Sequence, residues 1–141
     1  MQHDDEPGVR KVRQVVRADP DVVDRFAADP ANLPRWASGL ASGEVRRDGD
    51  RLLVASPMGQ VAVRFTGRDR PGVLDHDVTL PSGEVVANPF RVVPHPEGAE
   101  LVFIVRQGAL SDAELERDVA TVRSDLRRLA DLVEVLPDET Q

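Results

Sequence analysis

The 141-residue chain contains no cysteine and no tyrosine, and its aromatic side chains are limited to one tryptophan and four phenylalanines. The absence of cysteine excludes disulfides, thiolate metal sites and a cysteine nucleophile, and it is typical of proteins in a reducing compartment. We therefore expect a cytoplasmic protein. Lys11 is the only lysine, so Schiff-base chemistry would depend on that single side chain.

Long apolar runs and clusters of basic residues are also missing. No run approaches the roughly 20 residues that a membrane-spanning helix needs, and the acidic start, Met1 to Gly8, does not read as a secretory signal. The net charge of -7 would repel nucleic-acid phosphates and anionic lipid. We therefore expect no nucleic-acid partner and no membrane insertion.

The common signatures of enzymes and metal sites are absent as well. The chain has no glycine-rich phosphate loop and no nucleophile elbow, which removes most enzyme classes and predicts no cofactor. Its three histidines are scattered without the spacing of metal ligands, so we expect no metal site.

One apolar stripe runs along the end of the chain at separations of four and three residues: Leu115, Val119, Val122, Leu126, Leu129 and Val133. This spacing predicts a single amphipathic helix. Ser111 and Glu114 form a capping box at its start, and Pro137 ends it after Leu136. The stripe suits a coiled-coil seam or a face packed on a sheet, and the β-rich remainder favours the sheet.

The rest of the chain predicts one strand, two short helices and a meander. Asp19 with Pro20, and then Asp29 with Pro30, are helix starts, and Pro34 limits the second helix. About seven antiparallel strands are predicted, at 9–16, 44–47, 51–56, 60–66, 73–80, 84–93 and 100–106. We expect a disordered acidic tail at 1–8, one domain at 9–136 and a C-terminal tail at 137–141.

This order of elements resembles the START-like superfamily, which includes polyketide cyclases and Bet v 1 proteins. The resemblance rests on the segment from Ala18 to Asp29, on Trp36, and on the stretch from Gly72 to His76. It implies an α+β helix-grip fold, in which a curved antiparallel sheet of about seven strands wraps a long C-terminal helix. It also implies an elongated cavity between sheet and helix for a small hydrophobic molecule. The glycine-rich loop of the plant Bet v 1 proteins is absent.

His76 is the candidate catalytic residue. Alternation along a strand places it on one side with Leu74, Val78 and Leu80, while Asp75 lies on the other side. Burial among aliphatic groups would lower the pKa of the imidazole and leave a neutral ring that can act as a base near pH 7. If residues 81–83 form the hairpin loop, His76 pairs with Asn88 on the next strand. The alternative is a structural histidine hydrogen-bonded to a neighbour.

Other candidate ligand-binding residues are taken from the predicted inward faces and from the family resemblance. Trp36 is the largest possible lid or stacking residue, with core packing as its alternative. Arg64 and Arg91 could hold a ligand carboxylate if they point inward, and outward solvation is their alternative. The full predicted set is Trp36, Arg64, Leu74, His76, Val78, Asn88, Phe90, Arg91, Val122 and Leu126.

Three functions stay open at this point, and whether the protein is an enzyme is undecided. The first is binding of a hydrophobic small molecule in the cavity. The second is a cyclase or dehydratase that acts on a polyketide-like substrate through His76. The third is a chaperone-associated interaction domain, with Leu110, Leu132 and Leu136 as apolar surface candidates. A monomer or a homodimer is expected.

Overall fold

The computed structural model describes residues 7–38, 40–41 and 43–136. Its eight strands are β1 Val9–Val16, β2 Val45–Asp48, β3 Arg51–Ser56, β4 Gly59–Phe65, β5 His76–Thr79, β6 Val85–Asn88, β7 Phe90–His95 and β8 Gly98–Arg106. Its helices are α1 Pro20–Ala28, α2 Leu33–Trp36 and α3 Asp112–Glu134, with a 3-10 turn at Pro30–Asn32. The predicted tails at 1–8 and 137–141, and Pro137 with them, lie outside the described residues except for Pro7 and Gly8.

The two short helices begin as predicted. The Asp19 carboxylate accepts from the Asp21 amide at 2.9 Å, and Pro20 occupies the first helical position. Asp29 caps the following turn in the same way, and Pro34 lies in the first turn of α2, where a missing N–H costs little. Together these caps turn the chain back after β1 and place Trp36 at the end of α2.

The strands form two antiparallel sheets instead of the single seven-stranded sheet that we expected. The three-stranded sheet has the order β1-β8-β7, and the five-stranded sheet has the order β2-β3-β4-β5-β6. The predicted strand at 84–93 is divided into β6 and β7 at Pro89. The predicted strand at 73–80 is shortened to β5, although Val73 still makes an isolated bridge to Arg91.

Proline chemistry explains this division. The Ile104 amide donates to the Pro89 carbonyl at 3.0 Å, but Pro89 has no N–H to return the second bond of that pair. The ladder between β7 and β8 therefore ends at the Phe90–Phe103 pair, and β6 pairs with β5. The β5–β6 register continues across the division, because Val73 opposite Arg91 keeps the same offset as His76 opposite Asn88.

Helix α3 covers the interior rather than forming a coiled-coil seam. It packs on β1, β8, α1 and α2, and the capping box of Ser111 and Glu114 is present. The predicted stripe is buried except for Val122, which is half-buried. The helix ends at Glu134, whose carboxylate accepts from the Arg17 amide at 2.8 Å. Among the described residues, no helix has both the length and the apolar character needed to cross a bilayer.

An ion pair ties α1 to the loop between β4 and β5. Arg68 donates two hydrogen bonds to the nearly buried Asp24 carboxylate, at 2.7 and 2.9 Å, and one to the Val73 carbonyl at 3.0 Å. The hydrogen bond to Asp24 raises the pKa of the Arg68 guanidinium. Arg68 therefore fastens the segment that leads into β5.

The packing of α3 gives a stability prediction. Leu129 is fully buried, so Leu129→Ala should lower the free energy of unfolding by about 2–5 kcal/mol through lost apolar burial and a cavity. Urea unfolding measures the change. Arg128→Ala on the exposed face of the same turn is the control and should stay within about 0.5 kcal/mol of wild type. Equal effects of the two substitutions would contradict the packing described above.

Candidate functional site

Five aromatic rings lie in a connected series between the sheets and the helices, which we call the aromatic row. Its members, in spatial order, are Phe65, His76, Phe103, Phe90 and Trp36. Successive ring centroids are 5.9, 6.1, 5.1 and 6.0 Å apart, in tilted or edge-on orientations. These are favourable aromatic contacts. The row includes the only tryptophan and three of the four phenylalanines of the chain.

His76 lies in the row because of strand alternation and register. As the first residue of β5, it faces inward with Val78, and both side chains are buried. It pairs with Phe65 on β4 and with Asn88 on β6. The pairing with Asn88 confirms the predicted hairpin register.

The hydrogen bond of His76 depends on a rearrangement beside Pro89. In a regular antiparallel pair, Leu74 and Phe90 would exchange two backbone hydrogen bonds. Only the bond from the Leu74 amide to the Phe90 carbonyl forms, at 2.8 Å. The Phe90 amide donates instead to the Asp75 carboxylate at 2.9 Å, and the Leu74 carbonyl accepts from His76 Nδ1 at 2.8 Å.

The hydrogen bond to the Leu74 carbonyl assigns the tautomer of His76. The neutral imidazole has one N–H, and a carbonyl can only accept, so the proton lies on Nδ1 and the lone pair on Nε2. Burial lowers the pKa of the imidazole, and this effect exceeds the opposing contributions of the Leu74 carbonyl, Asp75 and Asp77. His76 is therefore a neutral ring whose basic nitrogen points away from its own backbone.

Trp36 forms the other end of the row. Its side chain is 6% exposed, and its indole Nε1 is buried without a hydrogen-bond partner. The Ser38 hydroxyl donates to the Asp125 carboxylate of α3 at 2.6 Å, which fastens the segment after α2 to the long helix. The hydrogen bond of Ser38, two residues after Trp36, therefore helps to hold the indole in the interior.

The two candidate arginines do not lie in the row. Arg64 faces the outer side of β4, exposed, with Asp50 at 3.6 Å. Arg91 faces outward between the buried Phe90 and Val92, and it donates two hydrogen bonds to the Asp75 carboxylate at 2.9 and 2.8 Å. These bonds hold the pKa of Asp75 below its usual range. The inward orientation that carboxylate binding required is therefore not observed for either arginine.

The remaining predicted residues lie in or beside the interior. Leu74, Val78, Phe90 and Leu126 are buried in the same core as Trp36, and the half-buried Val122 packs against it. The Asn88 side chain is partly exposed, and its amide donates to the Val86 carbonyl of its own strand at 3.4 Å.

These side chains and the other buried residues belong to one hydrophobic core. Two surface depressions lie on the outer face of the five-stranded sheet around Asp50 and Arg64, and neither is lined by α3, Trp36 or His76. The described part of the chain contains no group of three or more His, Asp or Glu side chains placed to hold a metal ion.

Phe65 and Phe103 were not predicted as site residues, although both rings contact His76. Phe103 could have been found from the alternation of β8, where Leu101 and Val105 share its inward face. Phe65 could have been found only from the cross-strand pairing of β4 and β5. Both side chains are partly exposed, so this part of the row reaches the surface.

Residues 9–134 match the family described as "Polyketide cyclase / dehydrase and lipid transport". The chain belongs to this family. The match extends from β1 to the last turn of α3, and it confirms the START-like resemblance drawn from the sequence. No curated protein sequence matches the chain.

Several solved structures share the fold of this chain. CV1439 from Chromobacterium violaceum is 20% identical, with a TM-score of 0.67 over 94% of this chain and 100% of that one. BH1534 from Bacillus halodurans is 17% identical, with a TM-score of 0.66 over 88% and 95% of the two chains. DynU16, from the dynemicin biosynthetic locus, is 19% identical with a TM-score of 0.67, over 91% of this chain and 48% of DynU16. Identities this low support the fold alone.

The neutral state of His76 predicts how stability depends on pH in this family member. The folded pKa lies below the ordinary value of 6.5, so the unfolded chain binds more protons below that pH. The contribution of the neutral imidazole to the free energy of unfolding is therefore complete above about pH 6.5. It falls by up to about 1.4 kcal/mol for each pH unit below that value. Urea unfolding at pH 5.0–7.0 measures it.

His76→Gln is the matched variant for this measurement and should flatten the slope within that window. The lowered pKa of Asp75 acts only at more acidic pH, because the ordinary value of that group is already 3.8. An unchanged slope in the variant would show that His76 is not the titrating group.

Proposed function

We propose that the protein binds a small hydrophobic molecule at the aromatic row, between the two sheets and α3. The observation that carries this proposal is the concentration of four of the five aromatic side chains of the chain, with His76, in one inward-facing series. Apolar and aromatic linings with a few polar groups are typical of small-molecule sites. Membership of a family described by polyketide chemistry and lipid transport supports the same reading.

The ligand enters where the row reaches the surface. Phe65 and Phe103 are partly exposed while Leu74, Phe90 and Leu126 are buried, so the row is shielded least at these two rings. Because these side chains pack in one core, those on this side move apart when the ligand enters. Apolar surface buried on both ligand and protein contributes about 25 cal/mol per Å² toward that opening.

A matched pair of α3 variants tests the location. Val122→Phe adds bulk on the half-buried inner face, whereas Thr121→Phe adds the same ring on the exposed neighbour. With a library of hydrophobic ligands, wild type and Thr121→Phe should show the same rise in melting temperature. Val122→Phe should lose most of that rise, because its larger ring takes up space between α3 and the core that the ligand would use.

Thermal melting of each variant without ligand is the control for folding. No rise for wild type across the library, together with native mass spectrometry that finds no co-purified small molecule, would refute the binding function. A ligand response that is equal in the two variants would instead place the site elsewhere on the molecule.

Catalysis of the cyclase or dehydratase type is the second candidate, and the state of His76 favours it. The ring is neutral, its tautomer is held by the Leu74 carbonyl, and its Nε2 lone pair is available to accept a proton from a bound substrate. Asn88, paired with His76 across the hairpin, could hold a substrate oxygen. Arg64 and Arg91 have no part in this mechanism, because they lie outside the row.

Turnover of a panel of poly-β-ketone substrates tests this candidate. If His76 is the acid or base, His76→Gln should lower kcat about 10²–10⁴-fold while binding is retained. The control is His95→Gln, which changes a histidine of the last strand connection. An unchanged rate in His76→Gln would remove the mechanism and leave the binding function standing.

The chaperone-associated role has less support. Leu110, Leu132 and Leu136, its candidate contact residues, are only partly exposed, and the last two pack against the core. They do not form the open apolar patch that docking on this helix would need.

A further inference from the structure

Two ring nitrogens of the aromatic row have no hydrogen-bond partner among the described residues. One is Trp36 Nε1, which is fully buried. The other is His76 Nε2, since the only hydrogen bond of this imidazole is the one from Nδ1 to the Leu74 carbonyl. His76 is 7% exposed, and Nε2 is not among the fully buried atoms without a partner, so this nitrogen lies where the ring meets solvent. Buried polar groups are nearly always paired, so the unpaired Trp36 Nε1 requires an explanation, and the Nε2 lone pair of His76 can accept from a group that enters from the surface.

The two nitrogens have opposite hydrogen-bonding character. An indole N–H can only donate. Nε2 of His76 can only accept, because the proton of the neutral ring is on Nδ1. Three edge-on or tilted contacts through Phe90 and Phe103 connect the two rings, so both atoms belong to one apolar series. A ligand in this series would meet one donor and one acceptor.

The charge of the interior adds a third constraint. Among the described residues, the buried polar or charged side chains are Asp24, Ser56, His76 and Asp125, and no arginine or lysine is buried. Asp24 is already paired with Arg68, and Asp125 accepts from Ser38. An anionic head group placed in the row would therefore lose water without gaining a cation, which is unfavourable.

From these observations we propose that the ligand is an uncharged ring compound with a carbonyl or ether oxygen that accepts from Trp36 Nε1 and a hydroxyl that donates to His76 Nε2. This inference rests on the proposed binding function and narrows it. Fatty acids and phospholipids are excluded as preferred ligands, because neither supplies this combination without a charge. Trp36 and His76 are then the residues that determine specificity, and the phenylalanines supply apolar contacts that do not discriminate between ligands.

A series of naphthalene probes separates the contributions of the two polar groups. 2-Acetylnaphthalene carries an acceptor, 2-naphthol carries a hydroxyl, and 6-hydroxy-2-acetylnaphthalene carries both. 2-Isopropylnaphthalene has neither group, and 2-naphthoate carries a charge. Isothermal titration and quenching of the single tryptophan give the Kd of each probe with the full-length protein.

Each satisfied nitrogen should lower Kd about fivefold relative to 2-isopropylnaphthalene, and 2-naphthoate should bind most weakly. Trp36→Phe should abolish the advantage of the acetyl group and keep that of the hydroxyl. His76→Phe should do the reverse, and His95→Phe, outside the row, should change neither. Thermal melting of each variant reports whether it is folded.

Wild-type NMR supplies a readout that needs no substitution. The one indole N–H resonance of the chain should move downfield when 2-acetylnaphthalene binds and should move little with 2-isopropylnaphthalene. The Nε2 nitrogen resonance of His76 should move upfield only with the hydroxyl-bearing probes.

The outcomes separate this inference from the function on which it rests. If all the probes bind with similar Kd, or if 2-naphthoate binds best, the proposed ligand chemistry is wrong while the binding function stands. If no probe binds and the hydrophobic library raises no melting temperature, both the ligand chemistry and the binding function are wrong.

Discussion

The missing N–H of Pro89 is the constraint on which the rest of the structure depends. It removes one hydrogen bond from the ladder to β8, so the strand divides and the sheet becomes two. At the same place the Phe90 amide turns to Asp75 and leaves the Leu74 carbonyl for His76. A local interruption of the backbone thus determines the protonated nitrogen of the only buried histidine among the described residues.

The interior combines two features that rarely occur together in a purely structural core. It is a single apolar core, with α3 lying over β1 and β8, and yet it contains a buried indole N–H without a partner and an imidazole nitrogen that accepts no hydrogen bond. Packing explains the position of both rings but not the unpaired indole N–H, because an apolar ring of similar size would avoid its desolvation cost. The proposed ligand would supply the acceptor that this N–H lacks.

Sequence patterns predicted most of the fold because those patterns act locally. The spacing from Leu115 to Val133, the caps at Asp19 and Ser111 and the hairpin that pairs His76 with Asn88 each depend on a few neighbouring residues. The division of the sheet was missed because a proline in a strand is compatible with a bulge, an edge or a break. The pairing of Asp75 with Arg91 was missed because it joins residues on different strands, and with it the reason that Arg91 faces outward.

Periodicity, capping and turn chemistry are local features of the sequence. They determined the class of fold, the long covering helix and the inward face of His76. Only the tertiary structure decided that four scattered aromatic residues meet in one row and that the buried Trp36 Nε1 lacks a partner. The physical reason is range: helix and strand preferences act over a few residues, whereas ring contacts and hydrogen-bond satisfaction depend on segments far apart in the chain.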